Sequence, residues 1–286
     1  MPTKRHTPTV RLRRLAAELR RLRSSGGLTR EDVTHCTGIN TATLYRIETA
    51  RVRPQQRTLI SLLDLYKVTQ PQRDEIIALS KGAEAQGWLR PYHSELPEEY
   101  TAYISFEAEA RAVRNYESLF IPGLLQTENY ARAVIRGGLT SATTREIEQR
   151  VQARMERQAV LTKEAAIQLW AIIDEAALHR MNGGPDVMRE QMEHLLTAAA
   201  EPNVTLQVIP FSAGSHPGMP GSFVLTSFPD ADDPEIVYID SMAGDLFLEA
   251  EADVRRYGAI FDTLRAVALS PDDSASLIAA LISDIQ

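Results

Sequence analysis

The sequence is almost without cysteine. Cys36 is its single thiol in 286 residues, which excludes a disulfide scaffold and a Cys-rich zinc site. No apolar run approaches the ~18–20 residues that a membrane-spanning helix needs. The basic first residues have no apolar stretch behind them of the kind a secretion signal carries. A cytoplasmic location is the expectation. The short words of common chemistry are missing too: no HExxH, no nucleophile elbow, no P-loop and no dinucleotide glycine fingerprint. These absences predict a chain that is not an enzyme, with no catalytic residues, no cofactor and no metal ion. What remains, 44% hydrophobic and 24% charged, is the composition of a globular protein, long enough for two domains.

The charge is unevenly placed. Residues 1–90 hold 17 Lys and Arg against 8 Asp and Glu, a balance of +9, while the rest of the chain carries 14 against 30, a balance of −16. A basic end on an acidic protein predicts a nucleic-acid module joined to a part that does not touch nucleic acid.

Periodicity divides the chain further. Residues 1–8 read as a polar arm. Leu12, Leu15, Leu19 and Leu22 then recur at helical spacing until Ser24-Ser25-Gly26-Gly27. Thr29, with Asp32 three positions on, reads as the cap of a short helix ending near Cys36. Gly38 supplies a tight turn, and Asn40 caps a third helix, Thr41 to about Thr49. A fourth carries Leu59, Leu62, Leu63 and Tyr66, and a fifth, capped by Thr69 with Gln72, carries Ile76, Ile77 and Leu79. A connector over 83–104 is broken by Gly87, Pro91 and Pro97, with Trp88, Tyr92, Tyr100 and Tyr103 available to pack. Beyond it a helix is predicted over 143–163 and another over about 186–200. Strands are predicted at Ile167–Ile173, Val204–Ile209, Ser222–Phe228 and Glu235–Asp240, and two helices close the chain. The expected class is α+β: an all-α five-helix domain over 1–82, the connector, and an α/β domain over 105–286. The latter's small sheet is expected to be mainly antiparallel, because Gly/Pro/Asp turns join its later strands, with helices flanking it.

The segment from Leu28 to Pro54 (LTREDVTHCTGINTATLYRIETARVRP) carries the function. A short helix, a glycine turn and a second short helix make a helix-turn-helix. Val33, Ile39, Leu44 and Ile47 form its apolar seam, which leaves Thr41, Ala42, Tyr45 and Arg46 outward on a helix that fits the major groove. Arg46 suits a guanine edge, and the hydroxyls of Thr41 or Thr43 a base. Arg30, Arg51 and Arg53 suit flanking phosphates. The basic helix Arg11–Arg23 reads equally as a solvated face or a phosphate contact. The stretch resembles the phage-repressor/Cro (XRE) family, whose usual ending is matched by LYRIETARVRP except that Ala50 stands where the family has glycine. The resemblance implies base reading by Thr41, Ala42, Tyr45 and Arg46, and phosphate contacts at Arg30, Thr43, Arg51 and Arg53. Glu48 reads as structural, paired with a nearby arginine.

The words PGLLQTENYARAV (122–134), RVQARMERQAVL (150–161), DEAALHR (174–180), GGPDVMREQMEHL (183–195), NVTLQVIPFSAG (203–214) and GSFVLTSF (221–228) resemble the DUF5753-like domain that follows such modules in actinomycetes. That resemblance implies an antitoxin-like transcriptional regulator, often with a small acidic partner protein encoded nearby. Read from the residues, the tempting groups His179, His194, His216, Asp174, Glu175 and Asp240 form no recognised catalytic pattern. Two places are candidates for a ligand or partner: Arg154, Arg157 and Gln158 on one helical turn, equally readable as a packing element, and His216 and Met219 in the long Gly/Pro-rich loop 210–221. The reading is a sequence-specific, homodimeric regulator of double-stranded DNA whose second domain binds a small partner protein. The alternatives are a regulator that senses a small molecule in a pocket, and an enzyme fused to its own DNA-binding domain.

Overall fold

The computed structural model describes residues 10–82, 96, 98–139, 141–230, 233–241 and 244–285. The expected arm at 1–8, and Trp88, Pro91 and Tyr92 of the connector, lie outside the described residues. The chain forms two compact units, one of Met1–His93 with Pro97–Phe106, the other of Ser94–Leu96 with Glu107–Gln286.

In the first unit come α1 (Val10–Ser25), α2 (Arg30–Thr37), α3 (Thr41–Glu48), α4 (Gln56–Leu65) and α5 (Gln70–Gly82). Both ends of α2 and the start of α3 have local causes. The Thr29 hydroxyl accepts from the Asp32 backbone N–H while the Asp32 carboxylate accepts from the Thr29 backbone, a reciprocal box that starts α2. Gly38, at φ 74°, closes α2 in the left-handed region that costs glycine nothing. The Asn40 side chain then accepts from the Ala42 N–H and starts α3. Leu12, Leu15, Leu19, Val33, Leu44, Ile47, Leu59, Leu62, Leu63 and Ile76 form one buried core. Gln72, expected to cap α5, donates to Glu18 of α1 instead, at 2.9 Å.

A helix, α6 (Glu98–Glu109), begins inside the segment expected as connector. The second unit, which takes only the last residues of α6, continues with β1 (Ala112–Glu117), α7 (Glu128–Gly138), α8 (Thr144–Arg157), β2 (Gln168–Asp174), α9 (Glu175–His179), α10 (Pro185–Ala199) and β3 (Val204–Ile209). After them come β4 (Phe223–Ser227), β5 (Ile236–Ile239), β6 (Leu246–Leu248), α11 (Glu251–Val267) and α12 (Pro271–Asp284). The six strands form one sheet in the order β3-β2-β1-β4-β5-β6.

The expectation of a mainly antiparallel sheet is corrected here. β1, β2 and β3 run parallel, and only β4, β5 and β6 alternate, so the sheet is mixed. Parallel neighbours need a crossover, and α7–α8 and α9–α10 supply the two. One face of the sheet sets Tyr116, Ile172, Ile209, Phe223, Leu225 and Val237 against Phe261 and Leu264 of α11. Val113, Ala171, Ile173, Val208 and Val224 on the other face are buried as well, as a sheet with parallel strands requires. Among the described residues no single helix is long and apolar enough to cross a membrane. The apolar pair α11 and α12 is bent by 66° at its joint.

The register has a consequence for function. Tyr116 of β1 faces Phe223 of β4, Val224 faces Tyr238 of β5, and Ile239 faces Leu246 of β6. The segments that follow β1, β2, β3 and β5, and those that enter β4 and β6, therefore all gather at one edge of the sheet.

Candidate nucleic-acid interface

α2 and α3 are fixed to each other from inside. Val33 and Leu44 are fully buried and Ile47 nearly so, and Ile39 packs against them from the turn. Beneath them lies a charged lock. The Glu48 side chain is wholly buried, accepts from Nε of Arg23 at 2.5 Å and from Nε of Arg30 at 2.7 Å, and so ties α3 to both α1 and α2. A second Arg23 nitrogen donates to the Leu28 carbonyl at 2.8 Å, fixing the entry to α2. The bond to Glu48 holds the Arg23 guanidinium above its ordinary pKa. Tyr66, desolvated and close to the Glu48 carboxylate, is pushed up to about 12.

This lock determines what α3 presents. With Leu44, Ile47 and Glu48 turned inward, Ala42, Tyr45 and Arg46 are exposed and Thr41 and Thr43 half-buried. Tyr45 lies between two guanidinium groups, Arg30 at 5.2 Å and Arg51 at 5.6 Å from its ring centre, each positioned for a cation–π contact. A nitrogen of Arg46 donates to the Thr43 hydroxyl at 3.3 Å, and the Thr41 hydroxyl meets that of Thr34 at 3.0 Å. An open concavity of about 670 Å³ runs beside the start of α3, lined by Arg23, Thr29, Arg30, Thr41, Ala42 and Tyr45. All four residues expected at base edges thus share α3. Of those expected at phosphates, Arg30 flanks it from α2, Thr43 lies on it, and Arg51 and Arg53 follow its end. Arg30 reaches this face while bound through Nε to Glu48, a double duty that sequence spacing does not reveal. Two residues past the end of α3, Ala50 adopts φ 55°: an alanine held in the left-handed conformation usually filled by glycine.

The other candidates lie in the second unit. Arg157 is buried and bonded to Glu107 at 2.5 and 2.9 Å. The Gln158 amide donates to the carbonyls of Gly123 and Gln126 at 3.1 and 2.7 Å. Arg154 donates to the Gln126 side chain at 3.0 Å. This turn therefore packs the domain together, and Arg157 is not presented to a partner. His216 is buried in the loop, with Nε2 3.1 Å from the Asp174 carboxylate and Nδ1 without a hydrogen-bond partner. Met219, from the same loop, is 65% exposed. Among the described residues no group of three or more His, Cys, Asp or Glu is placed to hold a metal ion.

The model of a family described as a domain of unknown function, DUF5753, matches residues 100–280, well over half of the sequence. The chain belongs to the DUF5753 family. In this DUF5753 protein a helix-turn-helix domain model matches residues 14–76, the stretch that contains α3 and the Glu48 lock. It is a DNA-binding regulator of the helix-turn-helix kind. Neither a search of curated proteins nor one of solved structures returned a match.

Proposed function

We propose that this DUF5753 protein is a sequence-specific transcription regulator that binds double-stranded DNA as a homodimer, with its second unit receiving the signal that alters operator affinity. The observation that carries the reading is the division of α3: Leu44, Ile47 and Glu48 locked inward, and Ala42, Tyr45 and Arg46 outward between Arg30 and Arg51. A helix held this way reads base edges while its flanks grip phosphate. One such helix reads a half-site, which supports a dimer on half-sites about 34–36 Å apart.

The resemblance supports an antitoxin-like arrangement with a small acidic partner protein. On charge alone such a partner is attracted to the basic first unit rather than the acidic second, and Arg157 is already paired with Glu107. An acidic partner drawn there would compete with DNA directly, a route separate from any signal that the second unit receives. The experiment is a pair of titrations, operator and scrambled duplex, at two salt concentrations. Arg46→Ala should cost about 1–3 kcal/mol per half-site on operator and relax the preference at one base pair. Arg53→Ala should weaken both duplexes alike and flatten the salt slope by about one unit. An unchanged operator-to-scrambled ratio in Arg46→Ala would remove Arg46 as a base reader.

A further inference from the structure

The described residues of the second unit expose seven large apolar side chains: Leu119, Phe120, Met181, Phe211, Met219, Leu246 and Val267. All but Val267 belong to the loops or strand starts gathered at the edge where β1, β2 and β3 end. Their exposure runs from 42% to 65%, and apolar side chains concentrated in this way mark an interaction site.

The loop bearing two of them is firmly held. Gly218 lies on the Tyr116 ring, so close that a Cβ there would come within 2.6 Å of a ring carbon. His216 is tied to Asp174 at 3.1 Å, the Phe211 N–H donates to the Glu175 carboxylate at 2.6 Å, and the His179 ring stacks on Phe211 at 5.3 Å. With its backbone and neighbours so pinned, the loop keeps Phe211 and Met219 in water although a looser loop could fold them under.

The same edge is acidic. Asp174 stands at the end of β2, Glu175 opens α9, Asp240 follows β5 and Asp245 precedes β6, while Arg180 follows α9. The edge spans six strands, about 24 Å at the usual strand spacing, a length that suits a helix of about 16 residues better than a small molecule. An acidic rim around apolar anchors repels DNA and anionic lipid and attracts a cationic partner.

We propose that the strand-end edge of the second unit docks a polypeptide segment, an amphipathic helix with one apolar and one Lys/Arg-rich face, on Leu119, Phe120, Met181, Phe211, Met219 and Leu246. This goes beyond the DNA-binding reading and does not depend on it.

The test uses the full-length protein and two fluorescent helical peptides of about 16 residues, one alternating Leu and Lys faces, the other Leu and Glu. In about 0.15 M salt, anisotropy should show the Lys peptide bound at least about 30-fold more tightly than the Glu peptide. The double variant Leu119→Ser/Met219→Ser changes exposed side chains only. It should lose at least about 10-fold in affinity for the Lys peptide, as expected when interface anchors are truncated, while Val267→Ser loses nothing and both variants keep their melting temperature and DNA binding. Equal binding of the two peptides, or undiminished binding by the double variant, overturns the proposal. So does a change of oligomeric state in the double variant by sedimentation, since the edge would then be covered by a second copy of the chain.

Discussion

Replacing Glu48 by glutamine tests whether the recognition helix is held by charge. The carboxylate is wholly buried and accepts from two guanidinium groups whose side chains are 13% and 32% exposed. Removing one partner from a buried ion pair typically costs about 3–5 kcal/mol, because the other charge is left buried. Here both arginines can recover water, and glutamine keeps one carbonyl acceptor, so a loss of about 2–3 kcal/mol is expected. In a unit of this size that lowers the melting temperature by roughly 10–20 °C. The contrasting pair, Glu18 with Arg21 on the outside of α1 at 2.6 Å, has its arginine 58% exposed, so Arg21→Ala should cost no more than about 1 kcal/mol. The assay is calorimetry of the full chain at low salt and at about 0.5 M salt, where surface pairs are screened and buried ones persist. A Glu48→Gln transition within about 0.5 kcal/mol of the parent, or a loss that added salt abolishes, would refute the argument that this lock sets the α2–α3 angle.

Two further outcomes concern the second unit. Burial first, and then the neighbouring Asp240, push the Glu117 carboxyl above its ordinary range, with Ser222 and Asn115 pulling it partly back. Because the folded state prefers the protonated form, stability falls as pH rises from the unfolded pKa of about 4.3 through the raised folded value. Glu117→Gln should therefore melt higher than the parent at neutral pH and lose that advantage below the unfolded pKa; a lower melting temperature at neutral pH would count against it. Gly218→Ala should cost about 1–3 kcal/mol by overpacking, since the new methyl meets the Tyr116 ring. Unchanged stability and near-ultraviolet dichroism in that variant would mean that the loop does not press on Tyr116.

The first unit was legible because its signals are local. Thr29 with Asp32, Gly38 and Asn40 each act within a few residues, and Leu12, Leu15 and Leu19 repeat at the helical period. The sheet was less so, for reasons its residues explain. β1 alternates Val113, Asn115 and Glu117 with Ala112, Arg114 and Tyr116, too polar to read as a strand, although its position between β2 and β4 places it at the centre. With β1 missing, Ile167–Ile173 and Val204–Ile209 show only a helix between them, and the turn-joined later strands weigh the expectation toward an antiparallel sheet. β6, three residues long, carries too little pattern to detect. The pairs Arg157 with Glu107 and His216 with Asp174 join residues 50 and 42 positions apart, which no local motif records. At Ala50 the missing glycine leaves two outcomes open, a strained cap or one extra turn; α3 stops at Glu48 and Ala50 takes φ 55°, the strained cap.

Selection from a pool of randomised duplexes with the full-length protein tests the central claim most directly. The account predicts enrichment of one sequence, repeated as two half-sites about 10 base pairs apart or a multiple of that, with the preference lost at one position in each half-site when Arg46→Ala is used. A pool that stays random while DNA is retained, or a motif that Arg46→Ala and Tyr45→Ala leave unchanged, would contradict it.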